Sequence, residues 1–128
     1  MTRINVGVAP LELSRQHLLA EHREIKRIPN TIKSGKAVLR NIPQKFTLGS
    51  GHVKFFYDKL GYLKKRYLEI RDECFRRGYN VTDYSACFDG IPTELMGQYE
   101  PTAEDRKIIL NRIAERNGKS LISVSVRH

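Results

Sequence analysis

The chain has 128 residues, with 23 Lys and Arg against 14 Asp and Glu and a formal net charge of +9. That length suits one domain, 1–128, with a modest core of its own. No run is apolar enough to span a bilayer, the N-terminus lacks a secretory apolar segment, and two cysteines make no disulfide framework. Membrane-spanning and disulfide-stapled classes are thereby set aside. The expectation is a monomer in a reducing cytoplasm, with Cys74 and Cys87 as free thiols and Cys74 in the core. Residues 1–40, 41–78 and 106–128 each carry an excess of five positive charges, whereas 79–105 holds six acids and no base. Such a polar molecule presents a cationic face suited to a nucleic-acid backbone or an anionic membrane surface.

Residues 2–9 read as an extended arm. If Met1 is removed, the chain begins with the α-amine of Thr2, followed at once by Arg3. An α-amine titrates near 7.7–8.0 and a lysine near 10.4, so roughly 10–20% of the former is unprotonated at neutral pH. It can act as a nucleophile without special desolvation; taken alone, it reads as an ordinary processed terminus.

Leu11, Leu18 and Ile25 recur at intervals of seven and mark the buried side of a first helix, which is expected to stop at Ile28 because Pro29 follows. Its exposed side carries Gln16, His17, Arg23, Glu24 and Arg27, one carboxylate among guanidiniums. A solvated ion pair between Glu24 and Arg27 is the plainer account of that spacing. Residues 29–51, punctuated by proline and glycine, read as a basic loop with at most a short regular piece, a place for phosphate contacts or simply a wet surface.

Val53, Phe56, Leu60, Leu63, Tyr67, Ile70 and Cys74 then alternate spacings of three and four, the seam of an amphipathic helix. Gly61 suggests a break between Phe56 and Leu60, Gly78 suits the C-terminal cap, and Lys64, Lys65 and Arg66 are assigned to the wet face. Residues 79–101 form an irregular connection packed by Tyr79, Tyr84, Phe88 and Tyr99. Thr102 and Asp105 cap a third helix whose buried face is Ile108, Ile109, Ile113 and Ala114, with Arg112 and Arg116 on one side and an end near Asn117-Gly118. The tail LISVSVRH is short and alternating. The expected fold is all-α, three main helices joined by long ordered loops. His17, His22, His52 and His128 show no zinc spacing, so neither metal nor other cofactor is expected.

Three blocks together resemble the bacteriophage pyrimidine-dimer DNA glycosylase/AP lyase family. They are MTRIN with QHLLAEHRE and Arg27, then FTLGSGHVKFFYDKLGYLKKRYLEIRDECFRRGYN, and more loosely Pro101 with ILNRIAER. The resemblance implies a compact all-α domain with the N-terminal arm beside the first helix, acting on damaged double-stranded DNA without metal. It implies the Thr2 amine as nucleophile and Glu24 as catalytic carboxylate. Arg3, Gln16, His17, Arg23 and Arg27 would surround them, and Arg112 and Arg116 would contact DNA near the abasic sugar. A lesion inside a duplex must be exposed, so kinking and extrusion of the nucleotide opposite the dimer are implied. The chain departs from the family pattern in the tail, which lacks the aromatic-rich ending, and at His22 and Lys26, which replace a tyrosine and a proline. Activity on another damaged base, or a non-catalytic basic domain binding DNA or RNA, are the competing expectations.

Overall fold

The computed structural model describes residues 2–116. Met1 and residues 117–128 lie outside that range, and with them the expected helix end at Asn117-Gly118 and the LISVSVRH tail. Every regular element among the described residues is helical, so the all-α expectation holds. No helix among them is long and apolar enough to cross a membrane. Two compact units can be distinguished among the described residues, 2–4 with 9–100 and 5–8 with 101–116.

The first unit contains α1 (Arg15–Glu24), α2 (Arg27–Lys33), α3 (His52–Phe55) and α4 (Leu60–Arg76). Ser14 caps α1, its Oγ accepting the His17 N–H at 3.3 Å. The residues before it, Pro10–Glu12, form a 3-10 turn rather than the start of the helix. Leu11 is therefore out of helical phase and 66% exposed, not buried as its spacing suggests, and Leu13 enters the core instead. Arg77 at the end of α4 fixes this turn by donating from Nη2 to the carbonyls of Pro10, Leu11 and Leu13 at 3.2, 3.3 and 2.9 Å.

The first helix ends at Glu24, not at Ile28, and Pro29 is the reason. A continuous helix would need an N–H from residue 29 for the carbonyl of Ile25, and proline has none. Ile28 donates to that carbonyl instead, at 3.3 Å, and the chain turns through Ile25 and Lys26 into α2. Pro29 then falls within the first turn of α2, where a missing N–H costs little. Sequence had placed the interruption beside the proline; the lost hydrogen bond moves it one turn upstream.

The seam of α4 is as periodicity predicts: Leu60, Leu63, Tyr67, Ile70 and Cys74 are all fully buried, α1 packs on α4, and Leu18 and Ile25 are fully buried as well. Fully burying each of the leucine and isoleucine side chains stabilises the fold by about 1.5–3 kcal/mol. The break ahead of Leu60 is also present. After α3 and a 3-10 turn at Phe56–Asp58, Lys59 leaves helical geometry. Here Gly61 and Gly97 have a positive role. A Cβ on Gly61 would stand 2.7 Å from the carbonyl oxygen of Met96 and 2.9 Å from that of Gly97, so only glycine permits this approach. The Gly97 carbonyl then accepts the Tyr62 N–H at 3.0 Å, satisfying an early donor of a helix that has no side-chain cap. Gly78 takes a φ of 83°, as its C-terminal position suggests.

Arg66 corrects the sequence reading. It is buried rather than on the wet face, and its guanidinium forms a bidentate pair with buried Glu21 of α1, Nε to Oε2 at 2.8 Å and Nη2 to Oε1 at 2.9 Å. Phe46, Phe55, Phe56, Tyr62 and Tyr99 make a second cluster whose rings meet mostly edge to face, as their quadrupoles favour.

In the second unit, α5 (Ala103–Arg116) starts at the expected capping pair. Asp105 N–H donates to Thr102 Oγ1 at 3.0 Å, and Thr102 N–H donates to Asp105 Oδ2 at 3.2 Å. Ile109 and Ala114 are buried, with Ile108 and Ile113 partly covered. Arg106 donates to the Gly7 carbonyl at 2.6 Å, where Gly7 has a φ of 75° and a Cβ would lie 2.8 Å from that of Arg106.

Candidate active site

The turn forced by Pro29 creates the feature of chemical interest. Glu24 is the last residue of α1 and Arg27 the first of α2, so the two helix ends bring a carboxylate and guanidiniums together. Arg23 Nη2 lies 3.5 Å from Glu24 Oε2, and Arg27 Nη1 lies 3.9 Å from Glu24 Oε1. Each carboxylate oxygen thus faces one cation, at distances of ion pairing rather than of tight hydrogen bonding. The Glu24 side chain is only 14% exposed, whereas Arg23 and Arg27 are 59% and 55% exposed. The carboxylate is partly withdrawn and held in a cationic setting, and both guanidinium side chains remain more than half exposed.

The remaining expected residues fall in distinct places. Gln16 is exposed and His17 buried, two helical turns before Arg23 and Glu24, a rise of about 10.5 Å. His17 therefore belongs to the inner side of α1, not to the exposed line expected for it. Thr2 and Arg3 are partly covered in the arm, and Arg3 Nη1 is shielded from solvent. Arg112 and Arg116 lie on α5 in the second unit, with Arg112 Nε 3.3 Å from Glu115 Oε1 and Arg116 exposed.

A polar layer supports α1 behind Glu24. Tyr67 Oη accepts the Tyr84 N–H at 2.7 Å and lies 3.1 Å from His22 Nε2. Burial lowers the His22 pKa and nearby Lys26 lowers it further, against a smaller opposing effect of Asp83. The net shift favours the neutral ring, whose Nε2 can accept the tyrosine proton in the Nδ1–H tautomer. Lys26 Nζ sits 3.8 Å from the centre of the Tyr84 ring, a cation–π contact available to a lysine at this position and not to a proline. Neither cysteine is a ready nucleophile, since burial raises Cys74 and pushes Cys87 up to about 11. Among the described residues, no group of three or more His, Cys, Asp or Glu is placed to hold a metal ion.

Two features escaped sequence reasoning. Glu21 and Arg66 each occupy a core position of their helices, Glu21 between Leu18 and Ile25 and Arg66 between Leu63 and Ile70. Opposite charges on two apolar seams are a legible signal for a buried pair. His52 is the other: its ring Nε2 accepts the Ile4 N–H at 2.9 Å and ties the N-terminal arm to α3. Only its place in the distinctive GHVKFFYDKL run could have marked it. Residues 1–85 contain the arm, Glu24 with its flanking arginines, and that run, and they match the family described as pyrimidine dimer DNA glycosylase, to which this chain belongs.

Proposed function

We propose that the protein excises pyrimidine dimers from double-stranded DNA and then cleaves the strand at the resulting site, with the Thr2 amine as nucleophile once Met1 is removed and Glu24 as the catalytic carboxylate. The observation that carries this reading is the Glu24 carboxylate between Arg23 and Arg27 within the stretch that defines the family. Attack of the neutral amine on C1′ of the damaged nucleotide forms a C–N bond and breaks the glycosidic bond, whose electron pair leaves with the base. Loss of the amine proton and opening of the sugar ring give an iminium. Glu24 stabilises its positive charge and takes the C2′ proton, so that the C3′–O bond breaks by β-elimination. Arg3, Gln16, His17, Arg23, Arg27, Arg112 and Arg116 are the proposed DNA contacts. A cationic α-amine would be a poor nucleophile, and its low intrinsic pKa relative to lysine supports the choice of a chain terminus.

Borohydride reduction in the presence of a dimer-containing or abasic duplex tests the reading. A reduced covalent adduct that peptide mass spectrometry maps to the Thr2 amine is expected. Glu24→Gln should lose incision while still binding DNA, and normal cutting by that variant would remove Glu24 from the mechanism. Salt-sensitive binding with no adduct would instead identify a non-catalytic binding domain. Side-by-side rates on dimer, abasic and oxidised-purine duplexes fix the lesion range.

A further inference from the structure

A hydrogen bond from the Ile4 backbone to His52 ties the arm to the helical body of its unit, and its chemistry is unambiguous. A backbone N–H can only donate and a carbonyl can only accept. His52 Nε2 therefore accepts from Ile4, and Nδ1 must carry the proton donated to the Thr47 carbonyl at 2.9 Å. The ring is the neutral Nδ1–H tautomer. It is buried, and Phe46 and Phe56 meet it edge to face with centroids 5.4 Å away in each case. Two hydrogen bonds and two aromatic edges leave the imidazole no other orientation, and Ile4, on the other side of the contact, is fully buried.

We propose that His52 is a positioning residue for the N-terminal nucleophile, an inference that rests on the Thr2 amine reading above. Two trans peptide units separate the Cα atoms of Thr2 and Ile4, a span of at most about 7.6 Å. Fixing Ile4 therefore confines the amine to a small volume. Loss of the bond removes one constraint on the backbone two peptide units from the amine, and misplacement by about 1 Å can slow a reaction about 100-fold. In this role His52 acts through the backbone of Ile4 rather than on the substrate or the reacting atoms.

The test compares His52→Asn with His52→Gln. The Asn amide nitrogen occupies the place of Nδ1 and keeps the bond to Thr47, but the side chain is too short to reach Ile4. The Gln amide oxygen reaches the place of Nε2 and can accept the Ile4 N–H. Single-turnover borohydride trapping on an abasic duplex is measured with saturating protein, beside the affinity for the same duplex and a thermal melt. His52→Asn is expected to trap about 10–100-fold more slowly than wild type with affinity within about threefold, and His52→Gln to recover most of the rate. Equal trapping rates for wild type and Asn, or equally slow Asn and Gln variants, would overturn the positioning role while leaving the Thr2 reading intact. A wild-type protein that forms no Thr2 adduct would overturn the Thr2 reading and the positioning role together.

Discussion

The Glu21–Arg66 pair offers the sharpest test of how α1, and Glu24 at its end, is held. The two side chains are 0% and 5% exposed and share two short hydrogen bonds. Burial is the largest single effect and opposes the Arg66 charge, but the charge and hydrogen bonds of Glu21, with smaller help from Tyr62 and Glu69, together raise the guanidinium pKa. Arg66→Met would keep most of the volume and strand a carboxylate in the interior, with an expected loss of about 3–5 kcal/mol. For a domain with typical stability of about 5–15 kcal/mol that is a large share. Glu21→Leu should cost a similar amount by stranding the guanidinium. The double variant removes both charges and should lie close to wild type, or above it by about 1–4 kcal/mol, because the desolvation of two ions is no longer required. Urea denaturation followed by circular dichroism gives the four stabilities, and a coupling of several kcal/mol is expected from the cycle. If the single variants each lose under about 1 kcal/mol and their effects add, water reaches the pair and the reasoning fails. The Arg66→Met variant should also cut DNA poorly, since Glu24 follows Glu21 by less than one helical turn.

Other expectations follow from the same geometry. Arg23→Ala and Arg27→Ala should each weaken binding to damaged and undamaged duplexes alike and reduce the slope of log affinity against log salt by about 1; an unchanged slope would show that the side chain meets no phosphate. Glu73 is held by hydrogen bonds from Arg76 and Arg77 that lower its pKa to about 2. Because the folded value lies below the unfolded one, its contribution is complete above the ordinary glutamate range and is lost as pH falls from about 4.3 toward about 2. Thermal melts across that window should show a shallower acid dependence for Glu73→Gln than for wild type, and parallel curves would contradict the assignment. Gly61→Ala would press a methyl group against the carbonyls of Met96 and Gly97 and should destabilise the fold by about 1–3 kcal/mol, whereas Gly35→Ala, with open space around it, tests only the cost of a positive φ. Equal losses for the two glycines in chemical denaturation would refute the steric argument.

Local physics carried much of this protein into its sequence. The α4 seam, the break before Leu60, the Thr102–Asp105 cap and the glycine at position 78 depend on residues within a few positions of one another, and each could be read directly. The candidate site was legible in part: Arg23, Glu24 and Arg27 are neighbours on any helical path, and the resemblance in residues 2–27 and GHVKFFYDKL pointed to their chemistry. Tertiary structure decided the rest. Whether Arg66 faces water depends on a carboxylate 45 positions away, and the fold likewise brings His52 to the backbone of Ile4 across 48 positions. Leu11 lost its core position because Ser14 starts the helix later, and Pro29 ended α1 at Glu24 by withholding a hydrogen bond from a residue four positions earlier. Periodicity records which faces are apolar; the pairing of a buried charge or a backbone donor is settled only when distant segments meet, because its energy belongs to the pair and to neither residue alone.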